Sequence, residues 1–391
     1  MNQFRSTYAE INLKNLISNL ILLRKNSGNL FFCPMVKANA YGHGDFAVSQ
    51  ALAQNGVNYF GVGFIEEALK LRNQGFQKDI LVFGIFDEQG AQEIVQQNFI
   101  PVLSDWHQLH SLNKAFSSTP NAKSLRLHLK FDTGMHRLGF NPSEAQKLES
   151  FLKQNLQFNL QGICTHLYQS EDLLDSKGFS AEQLQKYSDL LKIFNQDSLQ
   201  NHVFNSAGLI NLQKLQNQDS QRFQSYQHWG SRPGISLYGE NPQGLDLKPV
   251  MSLKSCFVKF HKLKTGESVS YGATWRASKN STIGVLPIGY ADGYARRLSN
   301  QGEVLYRGMR LPVVGTVCMD YIMINLTSVE EQLSVNFDSL NPLQEEVILM
   351  GQDQFGNHVS ASDLAKKLGT IPYEVLTDCG VRVPRRYIDW R

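Results

Sequence analysis

Lys37 closes the apolar run Phe31-Phe32-Cys33-Pro34-Met35-Val36 and is followed at once by Ala38-Asn39-Ala40-Tyr41-Gly42-His43-Gly44. A lysine at the end of a buried strand is costly unless it is neutralised or bonded covalently. A Schiff-base lysine meets that requirement, because desolvation frees its amine as a nucleophile. The segment alone also fits a lysine reaching past a strand end into water. Four more apolar runs end on polar groups: Lys130-Phe131-Asp132-Thr133-Gly134-Met135-His136-Arg137, Gly162-Ile163-Cys164-Thr165-His166, Asn205-Ser206-Ala207-Gly208 and Ser231-Arg232-Pro233-Gly234-Ile235. The backbone N–H groups around Ser206 and at Gly234-Ile235 could cradle a phosphate, with phenolic hydroxyls added by Tyr41 and Tyr373; ordinary turns are the alternative. No P-loop is present, and Gly61-Val62-Gly63 lacks the third glycine of a dinucleotide fingerprint.

Those groups need a scaffold that delivers strand ends to one place. Strands are expected over residues 30–37, 58–63, 79–84, 100–103, 124–130, 160–166, 202–205 and 229–232. Helical stretches fall between them, at 45–55, 66–74, 88–97, 142–154 and 182–194. The pattern predicts an α/β fold whose first domain, 1–245, is a (β/α)8 TIM-type barrel, with catalytic groups at the C-terminal ends of its strands. Beyond it, 251–263, 281–286, 303–306, 311–325 and 346–350 are β-rich with glycine turns. They predict a mostly-β C-terminal domain over 246–391.

Bulk properties exclude several classes. The 391 residues are 42% hydrophobic and 19% charged, with a net charge of +3, which describes an ordinary protein with a real core. Basic residues are scattered, so neither nucleic acid nor a membrane surface is an expected partner. The N-terminus has no apolar signal region, and the apolar stretch 16–23 is interrupted and too short to span a bilayer. The five cysteines are odd in number, widely spaced and without a C-x-x-C. Neither a disulfide framework nor a metal site is expected, and a cytoplasmic, reduced protein is.

The segment around Lys37 resembles the pyridoxal-phosphate (PLP) lysine motif of the alanine racemase family. The resemblance runs along nearly the whole chain, from Ser6-Thr7-Tyr8-Ala9-Glu10-Ile11, through Val269-Ser270-Tyr271-Gly272-Ala273-Thr274-Trp275 and Val314-Gly315-Thr316-Val317-Cys318-Met319-Asp320, to Arg382-Val383-Pro384-Arg385. It implies a PLP-dependent alanine racemase that interconverts L- and D-alanine by a two-base mechanism and supplies D-alanine for peptidoglycan. Lys37 is then the lysine that bonds the cofactor. Tyr41, Ser206, Gly234, Ile235 and Tyr373 surround its phosphate, Asn205 also binds the cofactor, and His166 packs on its ring. Arg137 lies near the phenolic oxygen and substrate, and Arg232 faces the pyridine nitrogen.

An arginine only donates, so Arg232 would keep that nitrogen an unprotonated acceptor. A carbanion poorly delocalised into the ring is reprotonated quickly at the α-carbon, which suits racemisation over transamination. Racemisation also needs a base on each face of the α-carbon. By resemblance these are Lys37 and Tyr271, the latter reaching the active site of a second copy in a homodimer with shared sites. A tyrosine serves as a base near neutral pH only where positive charge stabilises its phenolate; by resemblance His166 bonds it and Arg232 lies beyond. Met319 would meet the substrate carboxylate. Tyr290, in Ile288-Gly289-Tyr290-Ala291-Asp292-Gly293-Tyr294, would gate entry together with Tyr373, with Asp320 and Arg296 in the surrounding wall. Lys130 matches a position often carbamylated in the family; the rival is an unmodified Lys130 turned toward Asp132. Residues 85–88, 167–172 and 378–380 depart from the family pattern, which leaves fine substrate preference open. A racemase for serine or a larger amino acid, a PLP decarboxylase of the same barrel type, and a non-catalytic PLP carrier are the alternative readings.

Overall fold

The computed structural model describes residues 4–27, 30–119, 124–194, 198–240 and 244–389. They form two compact units. One comprises Leu16–Ala40 and Asp45–Lys248; the other comprises residues 4–15, Tyr41–Gly44 and 249–389. Part of the stretch expected to hold the domain boundary, 241–243, lies outside the described residues.

Strand β1 (Tyr8–Asn12) leads the chain. The first unit then runs through β2 (Tyr59–Val62), β3 (Asp79–Val82), β4 (Ile100–Leu103), β5 (Leu125–Lys130), β6 (Phe158–Cys164), β7 (His202–Phe204) and β8 (Gly230–Ser231). These seven strands pair in parallel, in sequence order, as one curled sheet. Helices such as Ile65–Asn73, Glu88–Gln97, Trp106–Ser118 and Phe179–Phe194 alternate with them. Several helices start on side-chain caps, among them Asp87 to the Gly90 N–H and Asp105 to the Gln108 N–H.

The expected first strand, 30–37, is not a regular strand. It closes the sheet by isolated parallel bridges, Phe32 to Ser231 on one edge and Met35 to Gly61 on the other. Cys33 N–H donates to the Ser231 carbonyl at 2.9 Å, and Val36 N–H donates to the Gly61 carbonyl at 2.8 Å. Pro34 breaks the ladder because it has no N–H to give toward β2. The segment is also tightly slotted. A Cβ at Gly61 would come within 2.5 Å of the Met35 sulfur, and one at Gly230 would collide with the Phe31 carbonyl.

Along each strand the side chains alternate. Cys33, Leu81, Ile100, Val102 and Cys164 form a buried cluster, with Phe31, Tyr59 and Phe83 against it. The chemistry-bearing residues continue these columns upward. Lys37 follows Cys33 and Met35, Lys130 follows His128, and His166 follows Cys164, each two residues on.

The second unit takes in the N-terminus, which corrects the expectation that residues 1–245 all belong to the barrel. β1 is paired on both edges, antiparallel to β9 (Met251–Cys256) and parallel to the chain's last strand (Arg385–Ile388). Between them run β10 (Lys259–Leu263), β11 (Ser268–Val269), β12 (Trp275–Arg276), β13 (Ser281–Leu286), β14 (Glu303–Tyr306), β15 (Met309–Pro312), β16 (Ile322–Asn325), β17 (Glu346–Gln352) and β18 (His358–Val359), so the last strand is β19. The large sheet has the order β15-β14-β17-β9-β1-β19, with β18 on β17. A second sheet is β10-β13-β16, and β11-β12 is a hairpin. β9 alternates buried and half-buried positions along its length, as a strand with one covered face does. Among the described residues no helix is long and apolar enough to cross a membrane.

Candidate active site

Lys37 ends its segment where the backbone does something rare. Ala38, Asn39, Ala40 and Tyr41 all have φ between +52° and +54°, a left-handed turn built without glycine. Each such residue costs on the order of 1 kcal/mol. Side-chain bonds tie it down: Ala38 N–H donates to Glu67 Oε1 at 2.5 Å, and Asn39 Oδ1 accepts from the Asp45 N–H at 3.2 Å. Lys37 as a whole residue is exposed. Its amine is held below the ordinary lysine range by burial first and by the Arg137 charge second, with Glu67 opposing.

Arg232 is buried and anchored on both forks. Nη1 donates to His202 Nδ1 at 2.7 Å and to the His202 carbonyl at 2.6 Å. Nη2 donates to the Thr165 carbonyl at 2.7 Å and lies 3.3 Å from His166 Nδ1. No hydrogen bond engages its Nε–H among the described residues. A guanidinium only donates, so it fixes the tautomers around it. His166 must accept at Nδ1 and carry its proton on Nε2. His202 likewise accepts at Nδ1, so its Nε2–H donates to His128 Nδ1, 2.8 Å away. His128 then carries a buried N–H at Nε2 with no partner among the described residues. Burial, with the Arg232 charge second, lowers all three imidazoles, His128 to about 3 and the other two far below the usual histidine range. All three are neutral. Sequence reading missed His128 and His202. The available signal was position, since His128 sits two residues before Lys130 on the same face of the strand Leu125–Lys130.

Lys130 is 7% exposed and makes no hydrogen bond or ion pair with any described residue. Burial, with the charges of Arg232 and Arg137, lowers its amine. The expected rival partner is occupied elsewhere: Asp132 Oδ1 accepts the backbone N–H groups of Gly134 at 2.9 Å and His136 at 3.1 Å. Arg137 is exposed and forms no ion pair among the described residues. The charges of Arg232, Lys130, Arg137 and Lys37 all bear on His166, so these five residues form one cationic cluster in the barrel.

Ser206 opens the helix Ser206–Gln218, capped by Asn205 through Oδ1 to the Gly208 N–H at 2.9 Å. Asn205 is thus engaged as a cap by its side chain. Ser206 Oγ accepts the Gly234 N–H at 3.0 Å and the Ser236 N–H at 3.2 Å. Both lone pairs are used, so its O–H proton is free to donate. The buried hydroxyls of Ser231 and Ser236 have no partner among the described residues. A helix N-terminus, the Ser206 donor and orphaned hydroxyls nearby fit a phosphate, and the cationic cluster fits an anionic cofactor and an amino-acid carboxylate.

In the second unit the rings of Tyr41 and Tyr373 lie 6.0 Å apart. Tyr271 tips the β11–β12 hairpin and is 72% exposed. The tip is pinned from below, because Ser270 Oγ donates to the Thr316 carbonyl at 2.5 Å and Thr316 Oγ1 donates to the Tyr271 carbonyl at 2.8 Å. Those bonds join it to the loop that carries Met319. Tyr290 and Ala291 N–H groups donate to the carbonyls of Cys318 and Met319, at 3.0 and 3.1 Å. Buried Asp292 holds the Tyr290 loop through the Gly289 N–H at 3.1 Å and Arg5 at 2.9 Å. Asp320 is fixed by Arg382 at 2.7 Å. Arg296, exposed, lines an open cleft with Thr274, Thr316 and Lys366. Tyr271, Tyr290 and Met319 therefore stand on one braced, solvent-exposed platform.

Two family models match the chain, the alanine racemase N-terminal domain over residues 11–242 and the alanine racemase C-terminal domain over 250–387. The chain belongs to the alanine racemase family. An alanine racemase of Thermodesulfovibrio yellowstonii is 39% identical over 98% of this chain and 98% of its own length. Alanine racemase 2 of Caldanaerobacter subterraneus is 35% identical over 99% and 96%. Among solved structures, the alanine racemase of Clostridium difficile 630 superposes with a TM-score of 0.86 at 29% identity, covering 99% of this chain and 97% of its own. The alanine racemase of Bartonella henselae with covalently bound pyridoxal phosphate gives 0.81 at 28% identity, covering 98% and 99%. The alanine racemase family is PLP-dependent, and this racemase is too.

Proposed function

We propose that this enzyme interconverts L- and D-alanine, supplying D-alanine for peptidoglycan. The observation that carries the reading is the Lys37 amine, desolvated at the end of a barrel segment and facing a cluster whose arginine has one donor to spare. Bound pyridoxal phosphate supplies an electron sink that acidifies the substrate's α-C–H. The Ser206 hydroxyl, the Ile235 N–H, and the Tyr41 and Tyr373 hydroxyls bind its phosphate, while the Gly234 N–H is given to Ser206 Oγ and holds that hydroxyl in place. Arg232 offers Nε–H to the ring nitrogen, while its other donors hold it in place. Lys37 moves the proton on one face of the α-carbon.

Domain 246–391 completes the site of a second copy in a homodimer. Tyr271 of the partner subunit moves the proton on the opposite face, and the exposed, braced hairpin tip supports that role. His166 supports it too: with Nδ1 occupied by Arg232, its Nε2–H is the donor that steadies a phenolate. Arg137 and the Met319 backbone N–H orient the substrate carboxylate. Tyr290 and Tyr373 narrow the entrance, with Asp320 and Arg296 behind them. We assign the enzyme to the cytoplasm, which five unpaired thiols support.

The test is purified protein with PLP and L-alanine in deuterated water, read by chiral separation and mass. D-alanine carrying α-deuterium is the expected product. No exchange, from a protein that has taken up PLP, would defeat the reading.

Lys130 is assigned as a carbamate. A buried amine with a lowered pKa is neutral often enough to add carbon dioxide and release a proton, and the single negative charge formed offsets part of the positive charge of Arg137 and Arg232. Enzyme exchanged into 13C-bicarbonate should show one slowly exchanging carbamate carbon by NMR, absent in Lys130→Ala. A wild-type spectrum identical to that of Lys130→Ala would leave Lys130 a plain amine.

A further inference from the structure

Glu67 belongs to none of the roles assigned above, yet its carboxylate makes three short backbone contacts. Oε2 accepts the Gly63 N–H at 2.7 Å and the Phe64 N–H at 3.1 Å. Both follow from its place in the first turn of the helix Ile65–Asn73, where a glutamate closes a capping box on residue 64. The third contact does not follow from the cap. Oε1 accepts the Ala38 N–H at 2.5 Å. That bond crosses from the first turn of the helix after β2 to the residue next to Lys37, where the left-handed turn begins.

Four non-glycine residues with positive φ persist only where their surroundings over-determine them. A charged acceptor on the first N–H of such a turn is a strong constraint, since a hydrogen bond to a carboxylate is stronger than one between neutral groups. The same carboxylate is tied to Gly63, where an added Cβ would stand 3.2 Å from Glu67 Oε2 and 3.8 Å from Lys37 Cβ. The root of the Lys37 side chain, the end of β2 and the start of the helix are therefore locked together by one residue.

We propose that Glu67 is the positioning residue of Lys37: by gripping the Ala38 N–H it holds the left-handed turn and aims the lysine amine. The inference rests on Lys37 being the cofactor-bearing lysine. Its charge acts in the same place. The groups that bear on the Lys37 amine are Arg137, from the loop after β5, which lowers it, and Glu67, which raises it; His166 in turn feels Lys37. Removing the carboxylate lets the amine fall further below its ordinary range.

The experiment compares wild type with Glu67→Gln, Glu67→Ala and Asp87→Ala. The last strips the cap of a neighbouring helix and touches nothing near Lys37. Borohydride reduction of the wild-type holoenzyme and peptide mapping first locate the bound PLP. If it is not on Lys37, the functional assignment fails, and Glu67 is judged on the apo-protein alone. In apo-protein, pH-dependent acetylation of Lys37 followed by mass spectrometry should show a lower midpoint in Glu67→Gln than in wild type. The PLP dissociation constant should rise about tenfold or more in both Glu67 variants. Asp87→Ala should lower the melting temperature and move neither readout. If the Glu67 variants also lose only melting temperature, with the Lys37 midpoint and PLP affinity of wild type, Glu67 is a helix cap and the proposal is overturned. Glu67→Gln keeps one acceptor oxygen and the side-chain volume, so the test survives if Glu67→Ala does not fold.

Discussion

Lys37→Ala leaves a folded protein that no longer binds PLP covalently, and its racemisation rate falls by at least about 10⁴-fold. The size follows from losing two functions at once, the covalent anchor and one of the two bases, each worth orders of magnitude. The fold is spared because the left-handed turn is held through backbone N–H and Asn39 contacts, not through the lysine side chain. Added small amines should restore a fraction of the rate, since they replace the base but not its placement. The pH dependence has a defined sign. Burial and then Arg137 depress the Lys37 amine, so its free-base form persists to lower pH than an ordinary lysine's. The acid limb of the apo-protein's reactivity at Lys37 therefore falls below the ordinary lysine range and disappears in the variant. Visible absorbance and steady-state rates check the claim. A variant that racemises at the wild-type rate without added amine would remove Lys37 from the mechanism.

The second large effect is asymmetric. Tyr271→Phe keeps the ring and the backbone bonds to Thr316 and Ser270, so the hairpin tip stands. Only the hydroxyl is lost, and with it the base for one face, at a cost of about 10²–10⁴-fold in the racemisation rate. Two enantiomers are equally stable, so net racemisation must slow equally in both directions. The asymmetry lies in α-proton exchange with solvent. The proposed two-base assignment gives Lys37 the α-proton of D-alanine and Tyr271 that of L-alanine, so D-alanine should still take up deuterium without inverting, while L-alanine should not. Mass analysis of each recovered enantiomer checks this. Equal, small losses of exchange from both would sink the two-base assignment.

Much of the site could be read from the chain because barrel chemistry is written at strand ends. Lys37, Lys130, His166 and Arg232 each sit at the end of a barrel segment, and period two carries Lys37 and His166 to the same side as Cys33 and Cys164 of the buried cluster beneath. What escaped the sequence has specific causes. Pro34 turns an expected strand into two bridges. A left-handed turn of Ala-Asn-Ala-Tyr carries no glycine to announce it. His128 and His202 sit inside strands, where a histidine resembles any half-polar core residue. Only the Arg232 contact, about 30 residues further along than His202, gives the pair a direction. Glu67 reads from sequence as an ordinary capping glutamate, because its bond to Ala38 spans 29 residues. The N-terminus is assigned to the barrel from sequence for the same reason: the partners of β1 are far along the chain, at Met251–Cys256 and Arg385–Ile388.

That last feature has a consequence for synthesis. β1 leaves the ribosome well before either of its partners, since it lies between β9 and β19 and its parallel neighbour comes only at Arg385–Ile388. The barrel strands all lie between residues 59 and 231, so the barrel can assemble while the rest is still being made. Meanwhile the β1 segment, Tyr8-Ala9-Glu10-Ile11-Asn12, waits with an open edge through the translation of more than 370 residues. An unpaired strand edge held that long is an aggregation hazard. A chain truncated before β19 would leave the hazard permanent, so a stop codon between 382 and 385 should yield insoluble protein rather than a slightly shorter enzyme.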